Sequence, residues 1–422
     1  MDTEKANIRS QLGVNRTDIC HRLAYATFAV YFLIIFARAA TTFITTDEAY
    51  TYYEYVRTGD LFNLSIANNH LLLTLLIWLF SGLHDYSEMF IRLPNLLALA
   101  VVGIFLIRKS FRQLQYPLFF LAVFFCSSYL FSEYLGLARG YAISVLLNAT
   151  GMIYCLDPRW QNLMKANILF LLAVFANLAS FFLFAAFQPL ALYWLCKQND
   201  YRIPWSLLTK PLIISTALLN VVAMAFFYFW GSNITQRADP LIGADSFLAS
   251  VGSVEAFFPN PTIRFGLLGL LMCLLWMGFR RNDAVRDALI FLGIALLLPF
   301  LASIVNSDRS DMLLQERTWI PLWALWCFPL MAALHEKRFS RGKGAFVTTI
   351  AAVSIVFLFV KQVNLDQTAA WANNYEEASK LHSGGYAVCC FAETPYHLEF
   401  YNEKYGLPIQ VCAEDSSIGQ CY

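Results

Sequence analysis

The chain has 422 residues, of which 58% are hydrophobic and only 14% are charged, and its mean hydropathy is +0.53. Soluble globular proteins carry about 25% charged residues, so this composition excludes a water-soluble domain of this size. A formal net charge of +1 provides no basic excess for binding nucleic acid. The composition therefore predicts an integral membrane protein.

Apolar stretches recur along the chain at lengths close to the roughly 20 residues that a helix needs to cross a bilayer. They predict an all-α polytopic fold with about 11 transmembrane helices in one large domain, residues 1–363. The predicted crossings lie near 23–43, 91–107, 116–131, 139–155, 166–180, 181–196, 207–230, 263–279, 288–305, 317–334 and 345–363.

Basic residues alternate between the predicted loops. Lys and Arg gather before the first crossing and again at 108–112, 159–165, 197–202, 280–286 and 337–343. Because cytoplasmic loops carry the excess of Lys and Arg, we expect the N-terminus in the cytoplasm. An odd number of crossings then places the C-terminal region outside the cytoplasm. The expected location is a bacterial plasma (inner) membrane, with no cleaved signal peptide and the first crossing as an anchor.

The first outer loop, residues 44–90, is long and partly apolar. Its run at 70–83 has 14 residues, fewer than a crossing requires. Counting that run as a crossing would move every later basic loop to the outside. We therefore expect a helix that lies along the outer membrane surface.

The C-terminal region, residues 364–422, is expected to form a small α+β appendage. Segments such as GYAVCCFAE and LPIQVCAE have the character of short strands separated by a turn. The region contains four cysteines, for which an oxidising compartment permits disulfides: Cys389, Cys390, Cys412 and Cys421. No Cys/His spacing typical of a zinc site occurs, so no metal site is predicted.

Two acids begin the first outer loop. One interpretation of Thr45, Asp47 and Glu48 is a capping box, with Thr45 as the N-cap and Glu48 reaching back to it. The functional interpretation is that Asp47, a carboxylate at the membrane surface, acts as a general base, a role that contributes about 10²–10⁴-fold. Ionisable groups at a membrane are costly and are commonly functional. Asp47 and Glu48 are therefore the candidate catalytic residues.

Two further candidates for substrate binding follow, one in the same loop and one just after it. His70 opens the surface helix, where the alternative role is a cap or an interfacial anchor. Arg92 heads the second crossing, and its guanidinium matches the oxygens of a phosphate group. The alternative for Arg92 is a side chain that extends to the interface.

The remaining candidates lie where later outer segments enter the membrane. Glu133, Arg139 and Tyr141 fall in the turn between the third and fourth crossings, and Arg317 precedes the tenth. The structural alternative is a local ion pair, formed by Glu133 with Arg139 in the turn and by Glu316 with Arg317 before the tenth crossing. The three arginines Arg92, Arg139 and Arg317 are nevertheless expected at one depth, which favours a site for an anionic group.

Five short motifs follow one another along the chain: Asp-Glu-Ala at 47–49, Asn-His-Leu-Leu at 69–72, Arg-Leu-Pro at 92–94, Ala-Arg-Gly-Tyr at 138–141 and Glu-Arg at 316–317. In this order they resemble the motifs of the GT-C superfamily of glycosyltransferases, and more narrowly those of the protein O-mannosyltransferases and lipid A aminoarabinose transferases. The resemblance in motifs covers roughly the first 160 residues, and the remainder is similar only in helix layout.

The resemblance implies an enzyme that transfers a sugar from a polyprenyl-phosphate donor to an extracytoplasmic lipid, polysaccharide or protein acceptor. It implies that Asp47 is the catalytic base and that His70 faces the donor phosphate. Residues that match later motifs of the family are Arg92, Arg139, Tyr141 and Arg317. The chain departs from the family at Leu71, where Pro is usual, and at Tyr50, where some relatives have Arg.

The chemistry agrees with this resemblance. A polyprenyl-phosphate sugar is already activated, so no nucleotide-binding loop is needed, and the sequence contains no GxGxxG or P-loop motif. Direct displacement predicts inversion at the anomeric carbon. No cofactor is expected, and a divalent cation is compatible with the reaction.

Two alternatives have different sequence signatures. A transporter or flippase of a lipid-linked or anionic solute places charges near the bilayer midplane on broken helices, commonly in two related halves. This chain shows no internal repeat, and Arg38 is the main charge inside a predicted crossing. An O-antigen-ligase-like enzyme shares the chemistry but has a large late outer loop, whereas the loop at 231–262 is moderate in size.

Overall fold

A computed structural model describes most of the first half of the chain and parts of the second. The described residues are 2–42, 44–62, 70–82, 87–202, 214, 216–225, 227, 261–279, 283–305, 320–335, 352–353, 355–356 and 400. For residues 2–19 only the backbone is described. These ranges contain helices and turns without a strand, so the all-α prediction is confirmed for them.

The helices are numbered here in chain order. They are α1 Asp2–Thr41, α2 Thr46–Thr51, α3 Leu71–Ser81, α4 Glu88–Gln113, α5 Pro117–Cys126, α6 Tyr129–Leu135, α7 Gly140–Cys155, α8 Trp160–Ala176, α9 Phe181–Gln198, α10 Pro261–Phe279, α11 Asp283–Val305 and α12 Trp323–His335. A π-helical turn, Tyr52–Arg57, continues α2, and a 3-10 turn, Leu178–Ser180, leads into α9.

Within the described ranges, three segments are long and apolar enough to cross a membrane: Cys20–Thr41, Glu88–Gln113 and Leu178–Gln198. They coincide with the first, second and sixth predicted crossings. Large apolar side chains stay exposed along such helices, including Leu33 at 62% and Val101 at 68%. Exposed apolar faces of this kind are what lipid contact requires. The chain is an α-helical membrane protein.

Several other crossings were predicted with different limits from those the structure has. The apolar run at 116–131 is interrupted after α5, because Ser128 caps the separate helix α6 through its Oγ, which accepts from the Phe131 N–H at 3.2 Å. The run at 166–180 begins earlier, at Trp160, and ends at Ala176. Asn177 ends it by accepting from the Ala179 N–H at 3.0 Å.

Helix α7 lies at the centre of the described structure and packs against α4, α8 and α12. Nearly all of its residues are buried. At Gly151 an added Cβ would collide with the ring of Phe170 on α8, so the absence of a side chain permits the close approach of the two helices. Asn148 donates to the Pro321 carbonyl at 2.8 Å and to Ser180 Oγ at 3.1 Å, which ties α7 to two neighbouring segments.

The apolar run predicted as a surface helix is α3. Its 11 residues extend only about 16 Å, roughly half of the hydrocarbon thickness. One face is buried through Leu73 and Ile77, whereas Trp78 and Leu79 are exposed. The helix of the first outer loop is thereby confirmed, and its position at the membrane surface stays a prediction.

Several predictions fall outside the described residues. They concern Arg317, half of the crossing at 207–230, most of the crossing at 345–363, and nearly all of the appendage at 364–422. Phe400 is the described residue of that C-terminal region. It is fully buried, and its ring packs edge-on against Tyr52 of the π-helical turn at 5.9 Å between centroids.

Candidate functional site

The first outer loop begins with the predicted capping box. Thr45 has an extended backbone, and its side chain accepts from the Glu48 N–H at 3.3 Å. The Thr45 N–H in turn donates to Glu48 Oε2 at 2.9 Å. This reciprocal pair starts α2 and is confirmed. It also separates the two acids, because Glu48 turns inward and is fully buried while Asp47 keeps 39% of its side chain exposed.

Glu48 and Arg92 form a buried bidentate ion pair. Arg92 Nε donates to Glu48 Oε1 at 2.8 Å, and Arg92 Nη2 donates to Oε2 at 2.7 Å. Arg92 Nη1 also donates to the carbonyls of Ala39 and Thr42 at 2.8 and 2.6 Å. Both side chains are inaccessible to solvent. The pair therefore joins the end of α1, the capping box and the first turns of α4.

A third element meets the same carboxylate. The backbone N–H of Ala138, in the turn before α7, donates to Glu48 Oε1 at 2.5 Å. Burial alone raises the pKa of Glu48, but the charge and hydrogen bonds of Arg92 and the two backbone N–H groups outweigh it and hold the pKa below 4.5. Glu48 is thus an ionised anchor at neutral pH. This geometry gives Glu48 and Arg92 a positioning role, and their direct contact with a substrate stays a prediction.

Asn95 is a positioning residue that the sequence did not single out. Its Nδ2 donates to the carbonyls of Leu137 and Arg139, the latter at 3.1 Å, and lies 3.5 Å from the carbonyl of Tyr134. Asn95 follows Arg92 by three residues, so both side chains leave the same face of α4. That spacing was the available signal. Together they hold the turn that carries Arg139.

Asp47 and Arg139 form the part of the cluster that reaches solvent. Arg139 Nη1 lies 2.5 Å from Asp47 Oδ2, and the Arg139 side chain is only 4% exposed. The guanidinium carbon also lies 5.7 Å from the ring centre of Tyr141. A buried cation is therefore directed at an accessible carboxylate. The two side chains form a close ion pair.

Aromatic side chains line the next part of the cluster. The His70 ring lies 5.3 Å from that of Tyr141, and Tyr141 lies 4.9 Å from Tyr134, both edge-on. His70 is 5% exposed. At Gly140 an added Cβ would lie 2.8 Å from His70 Cβ and would collide with the carbonyl of Ala176. The glycine of the Ala-Arg-Gly-Tyr motif thus permits His70 and the end of α8 to approach the start of α7 closely.

Glu133 belongs to a third ion pair. Its Oε1 lies 3.8 Å from Nη2 of Arg38, the charge that the sequence placed inside the first crossing. Burial raises the pKa of Glu133, and the charge of Arg38 offsets only part of that rise. Glu133 pairs with Arg38 and Arg139 pairs with Asp47, so the short-range Glu133–Arg139 pair is not what organises this turn.

The predicted residues therefore fall into three groups. Asp47, His70, Arg139 and Tyr141 come together in one cluster, with Glu48 and Arg92 behind it. Glu133 lies in the adjacent pair with Arg38, and Arg317 is outside the described residues. Within the described part of the chain, no group of three or more His, Cys, Asp or Glu side chains is arranged to hold a metal ion.

Comparison with known proteins adds no relative. No protein-family model, curated protein or solved structure matches the chain. The functional argument therefore depends on the cluster itself.

Proposed function

We propose that this protein is an integral membrane glycosyltransferase that moves a sugar from a polyprenyl-phosphate donor to an extracytoplasmic acceptor. The observation that supports this most is the contact between Asp47 and Arg139. It brings a solvent-accessible carboxylate, suited to accept a proton, together with a fixed cation suited to bind phosphate. These are the two groups that the transfer requires.

The proposed reaction is a direct displacement. The acceptor hydroxyl or amine gives its proton to Asp47 while its oxygen or nitrogen forms a bond to the anomeric carbon. The bond from that carbon to the phosphate oxygen breaks, and the electron pair leaves with the polyprenyl phosphate. Arg139 stabilises the negative charge that develops on the leaving phosphate. Attack opposite the leaving group inverts the anomeric carbon.

The resting contact implies an exchange of partners. Without a donor, Asp47 Oδ2 lies 2.5 Å from Arg139 Nη1, and this ion pair makes Asp47 less available as a base. An arriving phosphate competes for the guanidinium, with which it forms two parallel hydrogen bonds. Asp47 is then released toward the acceptor. The base becomes available when the leaving group is in place, which disfavours loss of the donor to water.

The neighbouring residues have supporting roles in this proposal. His70 and Tyr141 contact the donor beside Arg139, and Arg317 supplies a further cation from the later part of the chain. Glu48 and Arg92 keep the loop and α4 in register beneath Asp47.

The proposed topology follows the sequence. About 11 crossings place the N-terminus in the cytoplasm and the first outer loop and residues 364–422 outside, in a plasma (inner) membrane. The contact between Phe400 and Tyr52 supports placing the C-terminal region, as a small α+β appendage, on the side of that loop.

The test is sugar transfer by the purified protein from a panel of polyprenyl-phosphate sugars. Asp47→Asn keeps the size of the side chain but removes the base, so transfer should fall by about 10²-fold or more. Asp60→Asn makes the same change at an exposed position of the same loop and should leave transfer unchanged. Wild-type turnover by Asp47→Asn would refute the assigned base. The acceptor class comes from mass spectrometry of envelope lipids and polysaccharides in a deletion strain.

A transporter or flippase is the second candidate, supported by a polar network between apolar helices. Asn167 of α8, Gln188 of α9 and Asn220 exchange hydrogen bonds of 2.8–3.1 Å. Such networks join membrane helices and also line solute paths. Movement of a lipid-linked solute across liposomes by a protein without transferase activity would favour this candidate.

A further inference from the structure

A second polar cluster lies at the opposite end of α4 from Arg92. Lys109 follows Arg92 by 17 residues, about 25 Å along the helix. Its Nζ lies 5.7 Å from the ring centre of Phe105 and 5.5 Å from that of Tyr154 on α7. Lys165 of α8 places its Nζ 5.4 Å from the same Tyr154 ring. Three helices thus bring two ammonium groups to one aromatic side chain.

Among the residues that the structure describes, no acid neutralises the two cations. In the described ranges no carboxylate forms an ion pair with Lys109 or Lys165. The face of the Tyr154 ring attracts each ammonium but carries no net charge. Two like charges held around one ring repel each other, and an anion between them would remove that repulsion.

Apolar side chains continue from each lysine into the membrane region. On α4, Val102 and Phe105 precede Lys109 by seven and four residues and share its face. On α8, Ile168 and Leu172 follow Lys165 by three and seven residues and are 49% and 37% exposed. A polar end with apolar strips beside it matches a phospholipid, which has a charged head group joined to acyl chains.

We propose that Lys109, Tyr154 and Lys165 bind the head group of an anionic glycerophospholipid. The phosphate lies between the two ammonium groups, the Tyr154 hydroxyl donates to it, and an acyl chain lies along Ile168 and Leu172. Basic sites between membrane helices bind anionic head groups in this way. A zwitterionic lipid gains less, because its own cation is repelled by the lysines. The site is independent of the proposed sugar transfer.

The experiment measures lipid binding to the purified full chain in neutral detergent. Native mass spectrometry counts bound phosphatidylglycerol and phosphatidylcholine, and thermal unfolding is followed with each lipid and with inorganic phosphate. Phosphatidylglycerol should bind and raise Tm, whereas phosphatidylcholine and inorganic phosphate should not. Lys109→Gln/Lys165→Gln should weaken phosphatidylglycerol binding about 30-fold, since each lysine near a membrane surface contributes about fivefold.

Two further variants distinguish loss of the site from loss of the fold. Arg22→Gln/Arg202→Gln removes the same charge from two exposed positions elsewhere and should bind like the wild type. Lys109→Arg/Lys165→Arg keeps both charges and should restore binding. Equal binding of phosphatidylglycerol by the Gln double variant, or an equal Tm rise with inorganic phosphate or phosphatidylcholine, would overturn the proposal.

Discussion

The buried pair of Glu48 and Arg92 gives the sharpest prediction about stability. Glu48→Gln keeps the shape of the side chain and removes its charge, which leaves the Arg92 guanidinium fully buried without its anion. Breaking one partner of a buried pair costs about 3–5 kcal/mol. The Thr45 N–H and the Ala138 N–H also lose a charged acceptor. We expect a clearly lower Tm and a weakened capping box.

The pH dependence of this effect has a definite sign. The pKa of Glu48 is lower in the folded protein than its ordinary value of 4.5. The unfolded chain therefore binds the proton more tightly, and the stability due to this shift is fully present above pH 4.5 and is lost as the pH falls through the folded pKa. The difference in Tm between wild type and Glu48→Gln should be largest at neutral pH and should shrink in acid.

The assay is thermal unfolding of detergent-purified protein, with Glu54→Gln in the neighbouring π-helical turn as the matched control. The double variant Glu48→Gln/Arg92→Met should recover part of the loss, because replacing both members of a buried pair is less costly than removing one. Equal Tm values for wild type and Glu48→Gln at neutral pH would refute the assignment of this pair as the anchor of the loop.

Three further predictions concern the cluster and the topology. Arg139→Ala should raise the donor KM and reduce transfer about tenfold or more, since a lost charged hydrogen bond costs about 1.5–3 kcal/mol. Arg139→Lys keeps the charge and should retain part of the activity. Unchanged kinetics in both variants would exclude phosphate binding by Arg139. Gly140→Ala should lower the unfolding free energy by about 1–3 kcal/mol, because the added Cβ collides with the Ala176 carbonyl and crowds His70. Thermal or denaturant unfolding measures this effect, and a neutral result would contradict the close approach. An impermeant thiol reagent added outside cells should label Asp60→Cys and spare Arg112→Cys, and the reverse pattern would invert the proposed topology.

The sequence alone determined the class of the protein and several local features. A chain with 14% charged residues cannot cover a water-facing surface of this size, so the membrane class follows from composition. The capping box was predictable because its residues, Thr45 and Glu48, lie within one helical turn. The run at 70–83 was recognisable as too short to cross because helix length is set by residue count. Interruptions within a long apolar run, such as the one at Ser128, were missed because a single cap is a weak signal inside a hydrophobic background.

Only the tertiary structure decided how the charged residues are divided between support and chemistry. Asp47 and Glu48 are adjacent in sequence and about 100° apart around α2, and no local rule states which of them faces inward. Arg92 and the Ala138 N–H occupy the inward side, so Glu48 is buried and Asp47 stays accessible. The partner of Arg139 was likewise undetermined, since Glu133 lies only six residues away in sequence, whereas the observed partner Asp47 is far from it along the chain. The hydrogen bonds from Asn95 to the turn before α7 orient that turn, and the choice of Asp47 as partner therefore depends on contacts between segments far apart in the chain.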